Sequence, residues 1–100
     1  MDVRKKLSEN EVKKRVKALD WTLNSKNTEL SKVFRQRTFV SGLSFVAMIA
    51  VHAELINHHP DIELSKGKVK VKLTSHEVNG LTLGDFDLAR RIDTMQKAKI

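Results

Sequence analysis

The chain has 100 residues, 40% of them hydrophobic, with 19 Lys and Arg against 12 Asp and Glu for a formal charge of +7. That length suits one compact domain over residues 1–100 and leaves no room for a second core, and the composition is too apolar for a disordered chain. The absence of cysteine excludes disulfides, thiolate metal sites and cysteine nucleophiles. The weakly charged stretch from Thr38 to Ala53 falls short of the roughly 20 apolar residues a bilayer demands, so no membrane partner is expected. The N-terminal MDVRKKLSENEVKKRVK is charged where a secretory signal carries an apolar run, which predicts a cytoplasmic location.

Basic charge draws polyanions only when it is clustered. Seven of the 19 basic residues precede Leu19, interspersed with Asp2, Glu9 and Glu11, and four more alternate as Lys66, Lys68, Lys70 and Lys72. Neither group is an unbroken block, and base-stacking rings are scarce, with Trp21 and four Phe. The charge therefore reads as solvated surface, with no nucleic-acid partner expected.

In chain order, Ser8-x-x-Glu11 fits a capping box, and Val12, Val16 and Leu19 keep an apolar stripe that predicts a first helix ending near residue 20. Asn24 to Asn27 separate two β-tolerant runs between Trp21 and Arg37, a hairpin pattern. Thr38 caps a long central helix whose apolar positions Phe39, Leu43, Val46, Ala47 and Ala50 are expected to face the core, and which stops before Pro60. Ile62 to Leu64 and Val69 to Leu73 flank Ser65-Lys66-Gly67-Lys68 as a second hairpin. After a loop at Asn79 and Gly80, Thr82 and Asp85 form a second capping box, with Phe86, Ala89 and Ile92 on one face of a last helix. This order of helix, hairpin, helix, hairpin, helix predicts an α+β fold, an antiparallel sheet with helices on one face.

The chemistry concentrates in Glu54-Leu-Ile-Asn-His58-His59-Pro60, with His76 sixteen residues past the proline and Asp85 nine further on. Histidine exchanges protons near neutral pH and contributes roughly 10² to 10⁴ in rate when it does so in a transition state. Glu54 and His58 are four apart, so a helix persisting to its last turn would pair them on one face, with His59 pointing elsewhere. Other readings stand beside this one. A His-His pair after a helix serves as a polar C-terminal turn favoured by the helix dipole. His58, His59, His76 and a carboxylate are enough ligands for a metal, although no H-x-x-x-H or H-E-x-x-H spacing pre-aligns them. Asp85 is a helix cap or a partner to histidine, Trp21 a core residue or a ligand platform, and His52 decorates the central helix.

Glu54-x-x-x-His58-His59-Pro60, Thr74-Ser75-His76-Glu77 and Gly80-Leu81-Thr82 with Asp85 resemble the signature of the pterin-4a-carbinolamine dehydratase family. The likeness extends through Trp21, Phe34, Phe39, Ala53 and Leu88-Ala89, about four fifths of the chain. The resemblance implies a four-stranded antiparallel sheet with three helices on one face, in the order α-β-β-α-β-β-α. It implies a lyase (hydro-lyase) of tetrahydrobiopterin metabolism that eliminates water from 4a-hydroxytetrahydropterin to give quinonoid dihydropterin, with no cofactor or metal. By analogy His58 and His76 form the acid–base pair and His59 holds the pterin. Glu54 and Asp85 orient or polarise, Pro60 stiffens the turn, and Trp21 lines the pocket or packs the core. The resemblance also implies a homodimer or homotetramer.

Where the family pattern has aromatics after the proline, this chain has Ile62, Lys66 and Gly67; Ile62 with Leu64 is expected to substitute in packing, the alternative being that a ring shapes the pocket and its loss alters substrate affinity or choice. Asn57 stands where relatives carry an acidic residue. The same fold occurs in relatives that serve as a dimerisation partner of a transcription factor or an assembly chaperone, so a catalytically weak protein-binding factor is the alternative. The joint presence of His58, His59 and His76 favours the enzyme.

Overall fold

The computed structural model describes residues 2–98. Its elements are α1 (Glu9–Val16), β1 (Thr22–Leu23), β2 (Leu30–Arg35), α2 (Phe39–Leu55), β3 (Asp61–Ser65), β4 (Lys68–Leu73) and α3 (Leu83–Ala98), with a 3-10 turn at His76–Val78. The order and the four antiparallel strands, arranged β1-β2-β4-β3, are those expected. Alternation along the strands gives the sheet one buried face: Leu30 and Phe34 on β2, and Val69, Val71 and Leu73 on β4, all face the helices. Lys32 shares that face, and its Nζ reaches Asp93 on α3 at 2.9 Å, while the Trp21 indole N–H donates to the other oxygen of Asp93 at 3.0 Å. One carboxylate thus ties the last helix to the sheet.

Each helix start is capped differently. Thr38 and Ser41 form a reciprocal box on α2. On α1 only the hydroxyl half forms: Ser8 Oγ accepts from the Glu11 N–H at 3.2 Å, and the Glu11 carboxylate turns to Arg15. On α3 only the carboxylate half forms, Asp85 Oδ2 accepting from the Thr82 N–H at 2.9 Å. The first helix stops at Val16, short of residue 20. Ala18 and Leu19 close it with tight bonds back to Arg15 and Val16, and Leu19 still packs against the core.

The core face of α2 differs from the expected one. Gly42, Phe45, Ile49 and Ala53 are buried, whereas Phe39, Val40, Leu43, Met48, Val51 and Leu55 are exposed, Ala47 and Ala50 are exposed too, and Val46 is half-buried. Apolar residues stand on every side from Phe39 to Val51, with only Ser41 and Ser44 polar, so periodicity could not orient it. Contact with the sheet orients it instead: Gly42 faces β3, where an added Cβ would stand 2.8 Å from Leu64 Cδ1 and make that side chain shift. Ile62 and Leu64 pack on the core.

Urea unfolding tests this orientation. Phe45→Ala is expected to cost about 3–5 kcal/mol, and Ala50→Ser, which would bury a hydroxyl if the expected face were inside, no more than about 0.5 kcal/mol; equal costs would put the wrong face in the core.

Candidate functional site

The site begins where α2 ends. Asn57 adopts the left-handed conformation (φ 51°), and the His58 N–H bonds back to the Ala53 carbonyl at 2.9 Å while the Asn57 N–H bonds to Glu54 O at 3.3 Å. These two bonds form a Schellman closure, and asparagine tolerates the positive φ better than most side chains. The reversal carries His58 off the helix surface. Its expected partner, Glu54, therefore forms an exposed hydrogen bond with His59, and His58 crosses to α3.

There His58 Nε2 lies 2.5 Å from Oδ1 of Asp85. Asp85 is fully buried, and its Oδ2 accepts from Ser75 Oγ at 2.7 Å and from the Thr82 N–H at 2.9 Å, with Thr82 Oγ1 at 3.4 Å. A buried carboxylate is costly unless its lone pairs are filled, and here they are. Asp85 is thus helix cap and histidine partner together, one oxygen for each. Its hydrogen bond raises the His58 pKa above the ordinary 6.5, against the effect of burial, and the charges of Asp85 and Glu77 add to the rise.

His76 reaches the site by another route. Ser75 and Gly80 pair through their backbones, with the Ser75 N–H on Gly80 O at 2.8 Å, and Asn79 turns left-handed at φ 50°. The pinch closes the 3-10 turn and leaves His76 exposed at its start. His58, His59 and His76 line one cavity of about 350 Å³, within the range of small-molecule sites. Thr74, Ser75, Glu77, Gly84 and Asp87 share its wall, as do Val3 and Arg4 of the N-terminal segment.

Not every expected residue is there. Trp21 does not line this cavity; it is buried against Phe34 and bonded to Asp93, the packing role. Glu54 and Pro60 adjoin the cavity through His59 without lining it. His52 lies between helices, its Nδ1 3.2 Å from Arg91 Nη1. Among the described residues no group of three or more His, Asp or Glu is placed to hold a metal ion, and no helix is long and apolar enough to cross a membrane. Sequence reasoning quoted Ser75 without giving it a role and read Thr82 only as a helix cap, although a hydroxyl-rich segment near a buried acid is the signal of a satisfied carboxylate. It missed Gly84 and the Val3-Arg4 wall, which only tertiary contact places here.

A helix-backed antiparallel sheet with a histidine-lined cavity at the ends of its elements defines the class. The family model described as "Pterin 4 alpha carbinolamine dehydratase" matches residues 5–95. A relative from Roseiflexus sp., named "Putative pterin-4-alpha-carbinolamine dehydratase", is 42% identical over 89 residues, covering 88% of this chain and 94% of its own. One of the same name from Nostoc punctiforme is 35% identical over 90% of this chain and 96% of its own. Among solved structures, a "transcriptional coactivator/pterin dehydratase" from Brucella melitensis superposes with TM-score 0.86 at 29% identity, covering 92% of this chain and 99% of that one. A pterin dehydratase-like protein described as a RuBisCO assembly factor of the alpha-carboxysome shares the fold, with TM-score 0.66 at 20% identity over 78% of this chain and 90% of that one. The chain belongs to the pterin-4-alpha-carbinolamine dehydratase family.

Because folding raises the His58 pKa, its charged form stabilises the native state fully below about pH 6.5, and that contribution is lost as pH rises through the raised value. The stability difference between the native chain and His58→Gln, from urea unfolding at successive pH values, is expected to shrink as pH rises from 6.5; a flat difference would contradict the Asp85 pairing.

Proposed function

We propose that the chain is a hydro-lyase that eliminates water from 4a-hydroxytetrahydropterin, giving quinonoid dihydropterin by histidine acid–base chemistry without a cofactor or metal. The observation that carries this reading is the Asp85-held His58 opening on the same cavity as His59 and His76. The reaction moves two protons. The C4a hydroxyl gains one and departs as water, N5–H loses one, and the electron pair left on N5 closes the C4a–N5 double bond.

His58 suits the acid role. Asp85 occupies Nε2 and favours the cation, so the proton available to substrate is on Nδ1, and its loss leaves the tautomer that Asp85 already holds. His76, whose ring makes no hydrogen bond to a described residue, takes the N5 proton. His59, oriented by Glu54, holds the pterin, and Pro60 fixes the turn that presents both adjoining histidines. A cytoplasmic location is part of this reading.

A second copy of the chain is the proposed occupant of the exposed side of α2, as homodimer or homotetramer. Val40, Leu43, Ala47, Val51 and Leu55 recur there at three- and four-residue spacing, opposite the buried row. On a chain of charge +7 this long uncharged face is where a like molecule approaches without setting like charges together. The same face favours a second reading, a catalytically weak factor that binds another protein.

Dehydration of synthetic 4a-hydroxytetrahydropterin, followed by ultraviolet absorbance, separates the two readings. The native chain is expected to exceed the spontaneous rate, with a loss of roughly 10² to 10⁴ in kcat for His58→Ala or His76→Ala of verified fold. No acceleration across neutral pH would leave the binding factor. For the assembly, light scattering is expected to give a dimer or tetramer mass that falls to a monomer in Leu43→Lys with Val51→Lys; a native monomer would overturn it.

A further inference from the structure

We infer that Gly84 is a positioning residue for His58, its missing side chain leaving the Nδ1 edge of the imidazole open while Asp85 holds the opposite nitrogen. The geometry stands by itself; its consequence for rate rests on the dehydratase reading.

Gly84 is the second residue of α3 and shares the cavity wall with His58. A Cβ there would stand 3.2 Å from His58 Nδ1, 3.5 Å from Cε1 and 3.4 Å from Thr82 Oγ1. The first of these is closer than carbon and nitrogen ordinarily approach, so the ring would have to yield by a few tenths of an ångström. Its surroundings give it little freedom to do so. Its backbone N–H is fixed on Ala53 O at 2.9 Å and its Nε2 on Asp85 at 2.5 Å. Asp85 cannot follow the ring, because its other oxygen is taken by Ser75 and the Thr82 N–H. The displacement therefore comes out of the bond between His58 and Asp85.

The backbone does not itself ask for glycine here. Gly67 is the one glycine with positive φ among the described residues, and Gly84 sits in a helix, where alanine is the better former. What alanine would disturb is the imidazole. If Nδ1 carries the proton to the substrate, a methyl group at 84 stands against the donating atom.

Gly84→Ala in the full chain tests this by three readings: thermal unfolding, the NMR titration of the His58 ring, and dehydration kinetics. The charged groups around His58 are unchanged in this variant: Asp85 on α3, Glu77 behind it, and Arg4, His59, His76 and Asp87 around the cavity. The melting temperature is expected to hold or rise. The His58 midpoint is expected to move down toward its ordinary value, and kcat to fall at least about tenfold with KM within about twofold. A merely structural contact would not move the titration of His58 in a chain of undiminished stability. An unmoved midpoint overturns the inference, and so does a lowered midpoint with kcat unchanged. If the native chain accelerates nothing, the dehydratase reading falls, while the titration still decides whether Gly84 positions His58.

Discussion

The site depends on one buried carboxylate. Asp85 has no contact with water, so every lone pair must find a donor inside the protein, and the donors come from three places: His58 after α2, Ser75 after β4, and Thr82 at the head of α3. The end of α2, the segment after β4 and the head of α3 are thereby fixed to one point. The electrostatic consequence follows from the same bonds, because an acceptor at 2.5 Å from Nε2 favours the imidazolium and leaves the other ring nitrogen to exchange its proton. Structure and chemistry share the group: removing Asp85 would strand Ser75 and Thr82 as well as release His58.

The turn at Asn57 makes that bond possible. Had α2 run one turn further, His58 would have stayed on the helix surface above Glu54, as simple four-residue spacing suggests. The left-handed residue ends the helix and directs the next two side chains apart, His58 inward to a buried acid and His59 outward to an exposed one. The adjacent histidines therefore occupy unlike environments, 18% against 57% side-chain exposure, and only the first is held in one place by surrounding structure. Two identical residue types acquire separate duties through one backbone angle.

How much of this was legible in the sequence follows from how local each feature is. Element order, the helix starts after Ser8, Thr38 and Thr82, and the alternation of Val69, Val71 and Leu73 are set by neighbours a few residues away and read correctly, although the boxes expected at Ser8 and Thr82 form only by half. The histidines and Asp85 were legible as a motif, since type and spacing alone carry it. Which carboxylate partners which histidine was not, because the exchange of Glu54 for Asp85 depends on a turn that asparagine permits without compelling. The buried face of α2 was illegible for a different reason: a helix with apolar residues on every side has little periodic signal, and which side is buried is settled only where Gly42, Phe45, Ile49 and Ala53 meet the rest of the fold. Trp21 illustrates the third case, an amphipathic ring whose partner, Asp93, lies 72 residues away.

The arrangement also separates what can vary from what cannot. The exposed row of α2 contributes no residue to the cavity wall, and no wall residue belongs to that row. A substitution at Val40 or Val51 changes what the helix meets outside without touching His58, whereas loss of His76 alters the cavity and leaves the helix face intact. The outer face of the sheet is a third independent surface. There Lys70 and Lys72 of β4 stand opposite Glu63 and Asp61 of β3, so part of the positive charge is answered within the sheet itself. With core, cavity and outer surfaces thus uncoupled, one fold can retain its packing while its binding partners and its proton chemistry diverge. A solved relative at 20% identity that shares the fold and is described as an assembly factor fits this division, since what it has in common with this chain is the architecture.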